Sequence, residues 1–197
     1  MRFEPLAIAG AALVILERHQ DSRGFFARSF CVDEFAAAGL PTQALQASVS
    51  YNQHPGTVRG MHFQWPPSRE GKLVRCIRGG LRDVLLDLRP ESSSYLHHVA
   101  VTLDEDNRDA VYIPPGIAHG FQTLAPDTEV LYQMTDRFAP ELAAGVRWND
   151  PAFAIAWESM PQLTISERDA GYPDFDRSAF EAELSRRSGA LKLDRAS

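Results

Sequence analysis

Cysteine is scarce in this chain. Only Cys31 and Cys76 occur among 197 residues, which leaves no disulfide framework to read; both thiols read as core packing, and the usage suits a reducing cytoplasm. Positive charge is also short. The formal net charge is −6, and without a Lys/Arg excess neither nucleic acid nor an anionic membrane surface is a suitable partner, although a local Arg/Lys cluster can still hold a small phosphorylated ligand. Long apolar runs are missing too. The suggestive stretch, LAIAGAALVIL over 6–16, falls well short of the roughly 20 residues a membrane helix needs. With one basic residue ahead of it and Glu4 inside the would-be leading region, it reads as mainly buried strand, not as an export signal. Internal repeats and low-complexity tracts are absent, and helix signals are few.

What is present has the proportions of an ordinary globular chain. A hydrophobic content of 44% with 23% charged residues over this length supports one sizeable core, so residues 1–197 are read as a single domain. Short β-prone runs closed by Gly, Pro, Asn or Asp recur at 12–17, 24–30, 46–52, 58–63, 72–77, 81–88, 97–103, 109–113, 119–123 and 129–135. So many strands in one domain require two facing sheets, an all-β sandwich or barrel. The run LRDVLLDL at 81–88 carries Asp83 and Asp87 among apolar residues; an acid inside a strand points toward a cavity as readily as toward water. Two peripheral helices are expected, one in VDEFAAAGL with Gly39 as its stop and one over about 178–188, ending near Gly189. The polar tail 190–197 is expected to fray.

Two histidines sit among glycines, in Arg59-Gly60-Met61-His62-Phe63-Gln64 and in Pro114-Pro115-Gly116-Ile117-Ala118-His119-Gly120-Phe121. Singly, each suits a satisfied core residue. Together they resemble the two halves of the cupin motif, whose histidines ligate metal inside a double-stranded β-helix, or jelly roll. Here Gln64 stands in place of the second histidine, and Glu70 lies six residues beyond it at the edge of a Pro-rich turn, past the spacing of a ligand. A neutral amide is a poor transition-metal ligand, so the expectation is an interior pocket with no metal and no cofactor. Imidazoles free of coordination can then titrate near neutral pH as acid or base.

Seven strings narrow the resemblance. Asp21-Ser22-Arg23-Gly24-Phe25-Phe26, Arg59 to Gln64, Gly71-Lys72-Leu73-Val74-Arg75-Cys76, Asp83-Val84, Ile113 to Phe121, Trp148-Asn149-Asp150-Pro151 and Ser166-Glu167-Arg168-Asp169 are similar, in order and spacing, to the dTDP-4-dehydrorhamnose 3,5-epimerases, a branch of the cupins without metal. The resemblance implies a nucleotide-sugar isomerase that removes protons flanking the C4 ketone of a 4-keto-6-deoxyhexose, through an enolate-like transition state. By position His62 matches the base and Asp169 the carboxylate that orients it. Lys72 matches the cation at the ketone oxygen and Tyr132 the proton donor on the opposite ring face. His119 matches a second pocket histidine, which Asp83 could orient. Arg23, Phe26, Gln46, Arg59, Gln64, Phe138 and Arg168 fall at substrate-binding positions. The resemblance further implies a homodimer in which the N-terminal strands are exchanged, so that Arg23 and Phe26 serve the partner's site.

Four positions depart from the family's pattern, all mapped to substrate contacts: Arg28 for a usual Glu, Ser48 for Asn, Phe138 for a frequent Tyr and Ala143 for an acid. They leave open a 3-epimerase or a different nucleotide. Two further readings stay beside the epimerase, a metal-dependent cupin isomerase or oxygenase using His62 and His119, and a non-catalytic sugar-binding cupin.

Overall fold

The computed structural model describes residues 1–194. In chain order it forms strands β1 (Arg2–Pro5), β2 (Ala12–Ile15), β3 (His19–Asp21) and β4 (Gly24–Phe26), helix α1 (Val32–Ala37), then β5 (Gln46–Asn52), β6 (Val58–Gln64), β7 (Lys72–Arg78), β8 (Gly80–Asp87), β9 (His98–Asp104), β10 (Ala110–Ile113), β11 (Ile117–Thr123) and β12 (Thr128–Met134). A 3-10 turn (Pro140–Leu142), β13 (Ala143–Gly145), α2 (Glu167–Ala170) and α3 (Arg177–Asp194) follow. Hydrogen bonds order the strands β1-β2-β10-β7-β12-β5 in one sheet and β13-β6-β11-β8-β9 in a second, with β3-β4 as a separate ribbon. The result is an all-β, cupin-like jelly roll with a few peripheral helices.

Strand periodicity decides which residues face inward, because successive side chains point to opposite faces. In β8, Leu81 and Leu85 join Val74, Cys76, Val111, Phe121 and Val130 in the cluster between the sheets. Val84 and Leu86 instead join Met61, Phe63 and Ala118 on the outer face, where α3 and the segment before it cover them with Phe175 and Phe180. Helix α1 covers the other sheet through Phe35, packed with Val14, Leu73 and Tyr112. By the same parity Asp83 and Asp87 point inward with Leu81 and Leu85. The two acids part company there. Asp87 is a structural group: burial pushes its carboxyl up, but hydrogen bonds from Arg89, Ser92 and Ser94 outweigh that and hold it at about 2. Asp83 belongs to the site described below.

Several expected elements differ in extent. The apolar run 6–16 is not one strand, since only Ala12–Ile15 is extended and β1 precedes it. A turn closed by Leu6 N–H to Ala11 O at 3.0 Å fills the gap. The turn is apolar because Ile8 and Ala11 are themselves core residues, so hydropathy does not reveal it. β4 stops at Phe26, well short of 30, and the short strands β1, β3 and β13 carry too few residues for an alternation to show. Helix α3 extends past both ends of the expected 178–188; it runs through Gly189, and the frayed tail expected at 190–197 is helical to Asp194, with 195–197 outside the described residues.

Candidate active site

One end of the space between the sheets is apolar; the other is open. There β5, β6, β7, β11 and β12, with the segment leading into α2, enclose a cavity of about 640 Å³. It shares His62, Lys72, Tyr132 and Arg168 with an adjoining cavity of about 460 Å³, so the two are lobes of one cleft of a size suited to a small organic ligand.

His62 and Asp169 meet across 107 residues of sequence, with His62 Nε2 2.7 Å from Asp169 Oδ1. β6 supplies the histidine. The acid arrives because residues near Thr164 are stitched to the start of β6, with Val58 N–H donating to Thr164 O at 2.8 Å and Thr164 N–H to Gly56 O at 3.0 Å. The chain then turns into α2, where Ser166 Oγ caps the Asp169 N–H at 3.1 Å. Asp169 Oδ2 also accepts the Gly60 N–H at 3.1 Å. Burial pushes the Asp169 carboxyl up, but its hydrogen bond and charge interaction with His62, the Gly60 N–H and the Arg168 charge outweigh it and hold the group below the usual aspartate range. A carboxylate fixed on Nε2 leaves Nδ1 as the nitrogen free to take a proton. The imidazole is 40% exposed and its carboxylate 7%, so the ring faces the cleft while the carboxylate lies behind it.

Glycine permits this arrangement at one point in particular. Gly60 has φ +128°, and a Cβ there would lie 2.4 Å from the Gly120 Cα and 2.8 Å from the His119 carbonyl oxygen. That close approach of β6 to β11 brings His62 opposite His119 in register.

His119 forms a second imidazole–carboxylate pair, Nε2 to Asp83 Oδ2 at 2.8 Å, with side chains 5% and 0% exposed. The other oxygen of Asp83 is buried without a hydrogen-bond partner. Tyr132 stands beside this pair, its ring 6.1 Å from that of His119 in an edge-on arrangement. Burial, joined by the Asp83 charge, raises the phenol well above its usual range, against a hydrogen bond to Ser50 and the Arg59 charge. Such a phenol keeps its proton at neutral pH and is available as a donor.

Lys72 enters the cleft from the start of β7, with Nζ 3.3 Å from Glu70 Oε1. Gln64 also faces inward, but both ends of its amide are engaged by protein: Nε2 donates to Glu70 Oε2 at 2.7 Å and Oε1 accepts the Ala139 N–H at 3.0 Å. Sequence reasoning set Glu70 aside because of its spacing from Gln64; its place two residues before Lys72, just ahead of β7, was the signal available. Among the described residues no three His, Cys, Asp or Glu side chains converge as metal ligands.

Gln46 and Phe138 line the smaller lobe and are tied together, the Phe138 N–H donating to Gln46 Oε1 at 2.7 Å. Arg59 lines the larger lobe, its Nε held by Asn52 Oδ1 at 2.7 Å. Of the four departures, Ser48, Phe138 and Ala143 are on the wall of the cleft. Arg28 is not: it pairs with Glu34 at 3.3 Å beside the N-terminal ribbon. Arg23 and Phe26 are likewise remote from the cleft of their own chain. Among the described residues Arg23 pairs with Asp21, at 2.6 Å, and Phe26 is 76% exposed. Their expected place on the substrate therefore does not arise within one chain, because the β3-β4 ribbon stands apart from both sheets.

Comparison with known proteins gives a consistent picture. The family model described as dTDP-4-dehydrorhamnose 3,5-epimerase matches residues 5–177. The chain is 38% identical over 173 residues to the dTDP-4-dehydrorhamnose 3,5-epimerase of Sinorhizobium fredii, covering 88% of this chain and 89% of that one. It is similar to the crystal structure of a 4-keto-6-deoxy sugar epimerase from the novobiocin gene cluster of Streptomyces spheroides, with a TM-score of 0.86, 36% identity and coverage of 93% and 92%. A Legionella pneumophila epimerase solved in complex with dTDP-4-keto-L-rhamnose superposes with a TM-score of 0.85 at 30% identity, covering 93% of this chain and 96% of that chain.

Proposed function

The chain belongs to the dTDP-4-dehydrorhamnose 3,5-epimerase family and is a carbohydrate epimerase, and from that premise we propose that it inverts C3 and then C5 of a dTDP-4-keto-6-deoxyhexose through His62. The reading rests on one observation above others, the His62–Asp169 pair at 2.7 Å on a cleft that also receives Lys72 and Tyr132. A carbon next to a ketone gives up its proton only when the developing enolate is stabilised as the base takes it. His62 Nδ1 takes the proton, and Asp169 holds the tautomer and stabilises the imidazolium. The Lys72 ammonium lies where the ketone oxygen acquires charge, a contribution of about 3 kcal/mol by analogy with a lost oxyanion donor. Tyr132, held protonated by burial, returns a proton to the opposite face. The His119–Asp83 pair backs that side of the cleft, and Arg59 and Arg168, whose planar forks suit phosphate oxygens, receive the diphosphate end.

The ribbon supports a homodimer as part of this proposal. With Arg23 and Phe26 turned away from their own cleft, a second copy supplies them, and Phe25 and Phe26, 44% and 76% exposed in one chain, are covered in the assembly. The two free thiols suit a reducing cytoplasm. A second reading, inversion at C3 alone, is favoured by Phe138, which offers the smaller lobe no hydroxyl where the family frequently has a tyrosine.

An NMR time course in deuterated buffer with dTDP-4-keto-6-deoxyglucose tests the proposal. Wild-type protein is expected to exchange the C3 hydrogen, followed by C5, and His62→Ala to slow both by at least about two orders of magnitude. Full exchange in that variant removes His62 as the base, exchange confined to C3 selects the second reading, and tight binding without any exchange makes the protein a binder and not an enzyme.

A further inference from the structure

The chemistry above gives no task to Glu70, yet its carboxylate is 7% exposed and touches two members of the site. One oxygen lies 3.3 Å from Lys72 Nζ, and the other accepts the Gln64 amide at 2.7 Å. Through that amide the contact continues to the Ala139 N–H, beside Phe138, whose own N–H is held by Gln46. The backbone beneath is anchored as well: the Glu70 N–H donates to Ser68 Oγ at 3.2 Å and the Gly71 N–H to Thr135 Oγ1 at 2.8 Å.

A carboxylate taken out of water is costly unless charge and hydrogen bonds compensate it, and closing a turn does not require one. Lysine is the group in the cleft that most needs a fixed counter-charge, since its ammonium rides on a flexible four-carbon stem. At 3.3 Å the contact is longer than a tight charged hydrogen bond. It steers the ammonium while leaving donors free for a ketone oxygen.

We infer that Glu70 is a positioning residue of the epimerase, with one oxygen aiming Lys72 at the substrate ketone and the other, through Gln64, holding the Phe138 wall. The inference deepens the proposed function and rests on it. Each oxygen has its own kinetic consequence. Lys72 acts on the enolate, so its misplacement lowers kcat; the wall acts on bound substrate, so its loosening raises KM.

Glu70→Gln separates the two. Its amide oxygen still accepts from Gln64, but its NH2 opposes the ammonium, donor against donor. The expected result is a fall in kcat of about tenfold or more with KM changed by no more than about twofold. Gln64→Leu, which leaves the Glu70–Lys72 pair in place, is expected to raise KM more than it lowers kcat. The deciding measurement is a double-mutant cycle with Lys72→Met, read by hydrogen exchange at C3. If Glu70 acts through Lys72, E70Q produces no further loss in the K72M background. Losses that multiply, or an E70Q enzyme with wild-type kcat, overturn the inference. Should E70Q fail to fold by circular dichroism, E70D carries the same cycle, since it keeps the charge and retracts it by one methylene. Absence of exchange in the wild-type enzyme would fell the proposed function itself, a result separate from either outcome of the cycle.

Discussion

At the scale of single residues, the site is a set of imidazoles given direction by carboxylates. Replacing Asp169 by Asn keeps the shape but presents an amide to Nε2, which frees the wrong tautomer and removes the charge that stabilises the imidazolium. We expect kcat for C3 exchange to fall by roughly two to four orders of magnitude with little change in substrate affinity; a variant within threefold of wild type, a threshold set by about 0.6 kcal/mol, would show that the carboxylate is not needed. Because the Asp169 carboxyl is held below the usual aspartate range, its pairing contributes stability at pH values above that range, and the contribution is lost as pH falls through the folded-state value. His62, His119, Lys72 and Tyr132, which line the cleft, were all named from the sequence, through motif spacing and resemblance. Glu70 was not read as part of the site. Its spacing from Gln64 excluded one role, ligation, and the hydrogen bonds that define another depend on where the 138–139 segment folds back.

At the scale of elements, alternation along strands accounts for which residues share the cleft. His62 and Gln64 on β6, His119 on β11 and Tyr132 on β12 occupy inward positions by the same period-2 rule that fills the core with Val74, Leu85 and Phe121. Most strands were therefore placed within a residue or two. The β1-β2 hairpin was not, because its turn is buried and apolar, which hides it from hydropathy. The weak point of the frame is the contact between β6 and β11. Gly60→Ala forces a Cβ against the Gly120 backbone at a positive φ, and we expect it to cost about 3 kcal/mol or more, from backbone strain together with overpacking. A denaturant midpoint equal to wild type would show that the two strands can part without cost.

At the scale of the whole molecule, the N-terminal ribbon bears on which chain completes the cleft. The ribbon β3-β4 leaves Arg23 and Phe26 off the wall of their own chain's cleft, where the expectation of exchanged N-terminal strands needs them to be. If a second copy receives them, Arg23→Ala and His62→Ala homodimers are each inactive, whereas mixing them by co-expression restores one complete cleft in each heterodimer. Random pairing then returns about a quarter of wild-type activity in the unfractionated mixture, and about half in heterodimers isolated by dual-tag purification. Activity that stays at the level of the parents would assign the ribbon to its own chain. The sequence by itself determined the β-rich class, the outline of most strands and the types of residue that line the cleft, because alternation, turn residues and motif spacing are local properties of the chain. The Asp169–His62 and Asp83–His119 pairings were expected only through the family resemblance; the tertiary structure shows both contacts, and it alone decided that Asp87 is bound elsewhere and that Glu70 joins Lys72 to the Phe138 wall. Those contacts cross long stretches of chain, and their geometry is set by how the sheets pack and where the loops return, which no local pattern encodes.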